Sequence, residues 1–430
     1  MKRIFLSTLA FLFATSTAFA GSALEDMKRV ADMYDVELPS TPEVSFQAPV
    51  ENDDSTRKIA DWTVMIFMNG KNNLSSYIKE DFNEMEVAGS NSRVNIVAEL
   101  GCNSDSDTED GSYYSVNRYL VKHDTDMNKI NSPILQKLPG ADMGDWKELA
   151  AFGKWAKENF PAKKYFLIVE NHGSGWDKKL RADMSRGISY DDETGNNINT
   201  PQLAMAIKEM GGVNIYGSDA CLMQMAEVAY ELKDITEYVV GSEETEPGEG
   251  GDYSGFLVPF VNATVAPDSA AAAKLFVDSY GNFYDKTGEG YTQSMINSKA
   301  MAAFPDVVKK FTSAVMKAGD SRTVRTAISK IIYFDDPSNK DFADFADYMA
   351  RNSENEEVRA TAQELSSYIK NNLVSSNRSG KGRYGGQDYA AQAHGLAIYL
   401  ATKRPYSHYA DLSWSKASGW LDFLNWIRSK

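Results

Sequence analysis

The chain has 430 residues, of which 43% are hydrophobic and 24% charged, and it carries a formal charge of -15. That length allows two or three domains, and the composition is that of an ordinary soluble globular protein. The excess of acid excludes a protein built to grip phosphate backbones, because such binding draws on clustered Lys and Arg.

Residues 1–20, M-K-R-I-F-L-S-T-L-A-F-L-F-A-T-S-T-A-F-A, have a basic start, an apolar run and an A-F-A ending. This is the layout of a secretory signal peptide cut after Ala20. Loss of Lys2 and Arg3 with the segment would take the charge from -15 to -17. No cysteine near that site could carry a lipid, and no later run approaches the roughly 18 apolar residues of a spanning helix. The expectation is an exported protein, periplasmic or extracellular, without a membrane span. Residues 21–60 read as a linker or propeptide: a short amphipathic pattern over 21–36, then prolines among small polar residues.

Four continuous, β-branched runs follow, at 62–70, 94–100, 165–171 and 213–219. Each is too short for an amphipathic helix and reads as a strand buried on both faces of a parallel sheet. Helical patterns lie between them, and this alternation predicts an α/β layer sandwich over 61–300 with its site at the carboxyl ends of the strands. Residues 301–430 turn to long helical patterns and read as a mainly helical subdomain. It contributes one strand, 394–400, to the core, while 375–386 reads as an exposed loop by its Ser and Gly content.

His172 and Cys221 each follow one of these strands directly. If those strands are neighbours, about 4.8 Å apart, thiol and imidazole share a rim, as nucleophilic catalysis requires. Gly173 has no side chain to block a substrate carbonyl, so its N–H and that of Cys221 could form an oxyanion hole. A helix pattern opening at Cys221 would favour thiolate. Glu170 and Asn171 stand beside His172 as candidates to steer its ring. Asp219 either lines a pocket or caps the following helix. In an exported protein a Cys102–Cys221 disulfide is the competing use of the thiol.

N-H-G-S-G-W (171–176), G-S-D-A-C-L-M-Q-M-A-E-V (217–228) and G-S-E-E-T-E-P-G-E-G (241–250), with W-T-V-M-I-F-M-N-G-K-N-N-L (62–74), together resemble the clostripain-like cysteine peptidases of the caspase and gingipain clan. The resemblance runs over roughly residues 61–402. It implies a caspase-like three-layer sandwich with a mostly parallel central sheet, and a dyad of His172 and Cys221. An acid two residues before the nucleophile, here Asp219, goes with an S1 pocket for Arg or Lys in protein or peptide substrates. Glu249 in the P-G-E-G turn is the candidate second pocket acid, against a reading as a solvated loop residue. Zymogens of the family are often cut between the His and Cys strands, where Lys178, Lys179, Arg181 and Arg186 are the candidates for self-cleavage.

No cofactor is required by that chemistry. Calcium is left open, since D-S-D-T-E-D-G (105–111) departs from an EF-hand: Asp110 stands where Gly is needed and Val116 where Glu is. The family's strand order, 2-1-3-4, would hold Cys102 about 14 Å from Cys221, beyond the roughly 7 Å a disulfide spans. This favours Cys102 as a separate thiol. Lys71 departs from the family pattern, which commonly has an acid there. His394, the other His-Gly pair, begins a strand and reads as structural. The rival reading is a non-catalytic exported binding protein that keeps the fold.

Overall fold

A computed structural model describes residues 59–102, 115–176, 187–381, 388–403, 405 and 407–430. The predicted signal peptide, the 21–57 segment, the 105–111 acidic run and Lys178, Lys179, Arg181 and Arg186 lie outside the described residues.

The strands in chain order are β1 (Ala60–Gly70), β2 (Val94–Cys102), β3 (Ser115–Leu120), β4 (Ile134–Pro139), β5 (Ala162–Glu170), β6 (Ile188–Asp191), β7 (Asn196–Ile198), β8 (Ile215–Asp219), β9 (Tyr238–Gly241), β10 (Thr292–Asn297), β11 (Asn339–Asp341), β12 (Val374–Ser379) and β13 (Ala397–Tyr399). Nine form one sheet in the order β12-β10-β9-β8-β5-β1-β2-β3-β4. The central run β9-β8-β5-β1-β2 is parallel, and the outer strands β3, β4, β10 and β12 pair antiparallel. The four strands read from sequence are thus β1, β2, β5 and β8, adjacent in the order 2-1-3-4.

Because successive side chains of a strand point to opposite faces, each central strand feeds two cores. Met65, Phe67, Leu167, Val169 and Tyr216 face the helices Trp146–Asn159, Thr200–Glu209 and Ala226–Leu232. Val64, Ile66, Met68, Phe166, Ile168 and Ile215 face Ser75–Ala88, Tyr253–Asn262 and Ser269–Thr287. The result is the expected three-layer α/β sandwich with a mostly parallel central sheet. Among the described residues no helix is long and apolar enough to cross a membrane.

The C-terminal helices do not build a separate core. Phe304, Phe342, Trp414 and Trp420, all fully buried, belong to the same continuous cluster as Met65 and Leu167. The strand expected at 394–400 corrects to β13, which pairs with β11 outside the main sheet. The strand that this region does add to the sheet is β12, in a segment whose composition reads as loop. The exposed edge of β10 needs backbone partners, and β12 supplies them. Arg378 on β12 is tied down by Asp285 at 2.7 Å.

Trp420 donates its indole N–H to the Tyr399 carbonyl at 2.7 Å from within the shared core. Trp420→Ala is expected to cost about 3–5 kcal/mol. The shared core also predicts one transition: urea unfolding followed by tryptophan fluorescence and by far-UV circular dichroism should move to the same lower midpoint. Two separated transitions would mean that the C-terminal helices fold as a domain of their own.

Candidate active site

The register of the parallel strands sets the site. Met68 of β1 lies level with Glu170 of β5, and Glu170 level with Asp219 of β8. His172 and Cys221 therefore sit two residues past the same level on neighbouring strands, and the loop 71–74 after β1 lies on the other side of His172. A Cβ added to Gly173 would run into the Cys221 carbonyl oxygen and lie 2.9 Å from the Ala220 Cβ. Only glycine permits this approach. Among the described residues, no backbone acceptor takes up the N–H of Gly173 or Cys221.

The main chain around His172 is fixed by Asn171, which donates to the Asn69 carbonyl and accepts from the Tyr190 N–H at 2.6 Å. Asn171 thus holds the backbone and not the ring. Glu170 does not reach the ring either: it is buried beside Asp219, where the Tyr253 hydroxyl donates to it at 3.2 Å. The imidazole is held by a residue that sequence reasoning passed over, Asn73, whose Oδ1 lies 2.7 Å from His172 Nε2. The signal was present in N-G-K-N-N-L, a polar turn leaving the strand next to that of His172.

Lys71 shows why that turn is rigid. Its ammonium, 2% exposed as a residue, meets Asp191 at 2.9 Å and Glu193 at 2.5 Å and donates to the Ala141 carbonyl at 2.9 Å. Burial works against its charge, but Glu193 and Asp191 outweigh it and hold the ammonium above its usual range. This buried cation ties β1 to the 191–193 turn.

Cys221 does not open a helix. The next helix starts at Ala226, and Leu222 adopts φ 63°, a left-handed conformation costly for a branched residue. The turn presents Cys221 at the rim, where its sulfur accepts from the Glu246 N–H at 3.3 Å. The expected lowering of the thiol pKa is therefore corrected. Burial pushes it above its ordinary value, and Glu244 and Asp219 add to that, against the Glu246 N–H. His172 is pushed below its ordinary value by burial, with the charge of Asp192 acting the other way. Both shifts favour a resting pair of neutral thiol and neutral imidazole.

With the helix starting at Ala226, Asp219 is no N-cap. It is 4% exposed and accepts from the Gly251 N–H at 3.0 Å. A Cβ on Gly251 would sit 2.8 Å from that same carboxylate, so the P-G-E-G-G turn can close over Asp219 only as glycine. The acid that meets Asp219 is Glu246, whose carboxyl is buried against it; burial first and the Asp219 charge second push Glu246 far up. Burial likewise raises Asp219. Glu249, the residue singled out from sequence, is exposed and reaches the site only through its charge on Tyr284.

The remaining candidates fall elsewhere. No disulfide joins Cys102 and Cys221, which stand at the ends of β2 and just past β8, three strand spacings apart. His394 lies among Lys370, Asp347 and Arg351, and burial brings its pKa down to about 4. Among the described residues no group of three or more His, Cys, Asp or Glu could hold a metal ion.

The family model of the clostripain family matches residues 66–426. A clostripain from Hathewaya histolytica is 26% identical over 283 residues, 60% of this chain and 48% of that protein. The chain thus spans about half the length of this curated relative. A secreted C11 cysteine protease from Bacteroides thetaiotaomicron, solved with an irreversible peptide inhibitor, has a TM-score of 0.64 at 21% identity, covering 84% of this chain and 99% of its own. An inactive zymogen C11 protease from Parabacteroides distasonis has a TM-score of 0.63 at 19% identity, with the same coverage of each. At these identities the solved structures bear on the fold.

The neutral resting pair has a measurable consequence. Alkylation of Cys221 by iodoacetamide should be slow at pH 7, climb about tenfold per pH unit, and level off only above the ordinary thiol value of 9.0, because the thiolate is the nucleophile. Fast alkylation near pH 6, followed by peptide mapping to separate Cys221 from Cys102, would indicate a standing thiolate–imidazolium pair instead.

Proposed function

The chain belongs to the clostripain family, and from that premise we propose that it is an exported cysteine endopeptidase cleaving after Arg or Lys through Cys221 and His172. The observation that carries this reading is the placement of three functions on one rim: thiol, imidazole and a buried pair of carboxyl groups beside the thiol. His172 removes the Cys221 proton as the sulfur attacks the carbonyl carbon of the P1 residue. The N–H groups of Gly173 and Cys221 take the oxyanion. The imidazolium then protonates the leaving amine, and water releases the acyl-enzyme with His172 as base.

Specificity follows from the electrostatics of Asp219 and Glu246. Two desolvated carboxyl groups in contact cannot both ionise cheaply, so one retains a proton in the empty pocket. A guanidinium or ammonium between them reverses that balance and gains charge-assisted hydrogen bonds. A neutral side chain would leave the acids buried and unanswered. Arg and Lys are therefore the side chains that the pocket chemistry favours. The signal-like segment supports export. The chemistry uses no cofactor, and calcium would act only on structure.

Self-processing between His172 and Cys221, at Lys178, Lys179, Arg181 or Arg186, completes the proposal. All four match the proposed P1 preference. Intact-mass analysis of purified active protein should find a cut after one of them and none in Cys221→Ala. An uncut chain with full activity would remove processing from the proposal.

The test of function is hydrolysis of fluorogenic peptides ending in Arg, Lys, Asp or Ala, with and without calcium chelation. Cleavage after Arg or Lys should vanish in Cys221→Ala. With one charge-assisted contact worth about 1.5–3 kcal/mol, kcat/KM should fall roughly 10- to 100-fold in Asp219→Asn and in Glu246→Gln, and little in Glu249→Gln. A processed wild type that cuts none of the peptides would favour a binding protein on the same fold.

A further inference from the structure

We infer that Asn73 is a positioning residue for catalysis: it accepts the Nε2–H of His172, fixes the imidazole as the Nε2–H tautomer, and leaves Nδ1 as the nitrogen that exchanges protons with Cys221 and the leaving amine. The inference rests on the assignment of His172 and Cys221 as the reacting pair.

The argument begins with the turn after β1. Asn69, Lys71 and Asn72 are 0%, 2% and 2% exposed, and each spends its side chain on anchoring. Asn69 donates to Ser189 Oγ and to the Tyr190 carbonyl, both at 3.0 Å, and accepts from the Lys71 N–H at 3.1 Å. Asn72 donates to the Tyr190 carbonyl at 2.8 Å and accepts from the Leu74 N–H at 2.9 Å. Lys71 holds Asp191 and Glu193. Asn73, which follows them, is exposed, yet its Oδ1 meets His172 Nε2 at 2.7 Å. Three buried residues thus set the position of one exposed amide against the ring.

The chemistry of the contact fixes its direction. An amide oxygen can only accept, so Nε2 must carry the proton, and in a neutral imidazole Nδ1 is then the basic nitrogen. As Nδ1 takes the thiol proton, the ring becomes positive and the bond from Nε2 strengthens. Asn73 therefore favours the imidazolium that forms during attack more than the resting ring. Among the described residues the charge that acts on His172 is that of Asp192, which favours its protonation against the opposing effect of burial. The neutral amide adds orientation without a further standing charge, and this suits a pair that rests uncharged.

The test combines spectroscopy and kinetics on the full chain. With only four histidines, long-range 15N–1H correlation on 15N-histidine-labelled Cys221→Ala protein can resolve the His172 ring. It should report the Nε2–H tautomer, turning to a tautomer mixture when Asn73→Ala is added. In the Cys221 background, Asn73→Ala should lower kcat by about 10- to 100-fold, a part of the roughly 10²–10⁴-fold that general acid–base catalysis supplies, with KM changed less than about threefold. Asn73→Asp keeps an acceptor and adds a charge that raises the His172 pKa. It should recover much of kcat while the acid limb of the kcat profile moves to higher pH.

A merely structural role for Asn73 would leave the tautomer unmoved and would not let Asn73→Asp recover kcat. An Nδ1–H tautomer in the parent protein, or Asn73→Ala with unchanged kcat, would overturn the inference while leaving the dyad intact. Retained activity in Cys221→Ala would instead remove the dyad on which it stands.

Discussion

Backbone register between parallel strands is the constraint on which the site depends. Met68, Glu170 and Asp219 are held level by the ladders of β1, β5 and β8, and Asn73, His172, Gly173 and Cys221 emerge two to five residues beyond that level. No side-chain interaction could substitute for it, since a slip of one residue turns every side chain of a strand to the opposite face. A slip of β8 against β5 would move Asp219 and Cys221 away from Glu170 and His172 together. The continuous apolar runs that bury both faces of these strands thus also fix the chemistry at their ends.

The interior beneath the rim is acidic, and this sets the electrical state of Cys221 and His172. Glu170, Asp219 and Glu246 are all pushed upward by burial, and Asp81 is pushed up as well, by burial first and the Glu170 charge second. Such a string of acids works against a thiolate at Cys221. A helix N-terminus at the nucleophile would oppose this, but the helix begins only at Ala226. On the proposed reading, thiolate formation is therefore deferred to the reaction itself, when the Gly173 and Cys221 N–H groups have an oxyanion to receive the charge.

Much of this was legible in the sequence, for physical reasons. A strand buried on both faces is a short, continuous apolar run, and β1, β2, β5 and β8 announce themselves that way. His172, Cys221 and Asp219 stand at the ends of such runs, where chemistry on an open sheet collects. What stayed hidden depended on partners distant in sequence. β12 reads as loop because V-S-S-N-R-S has the composition of one, and only the edge of β10 makes it a strand. In G-S-E-E-T-E-P-G-E-G four acids compete, and which one meets Asp219 is decided by the fold of the turn: Glu246 faces inward and Glu249 outward. Asn73 stays hidden because it reaches His172 across from the end of β1 and not along β5.

On the proposed reading, the acidic pocket also reconciles selectivity with reactivity. An empty pocket with one shared proton on Asp219 and Glu246 carries a single negative charge near Cys221. When a P1 cation enters and that proton leaves, two carboxylates and one cation again sum to a single negative charge. The field at the sulfur is then nearly the same before and after binding, so recognition of Arg or Lys need not make the thiol harder to ionise. An uncharged P1 side chain gains nothing from the acids, and an acidic one adds charge where the thiolate must form. The same two carboxyl groups thus favour the cationic substrate at the binding step and penalise the anionic one at the chemical step.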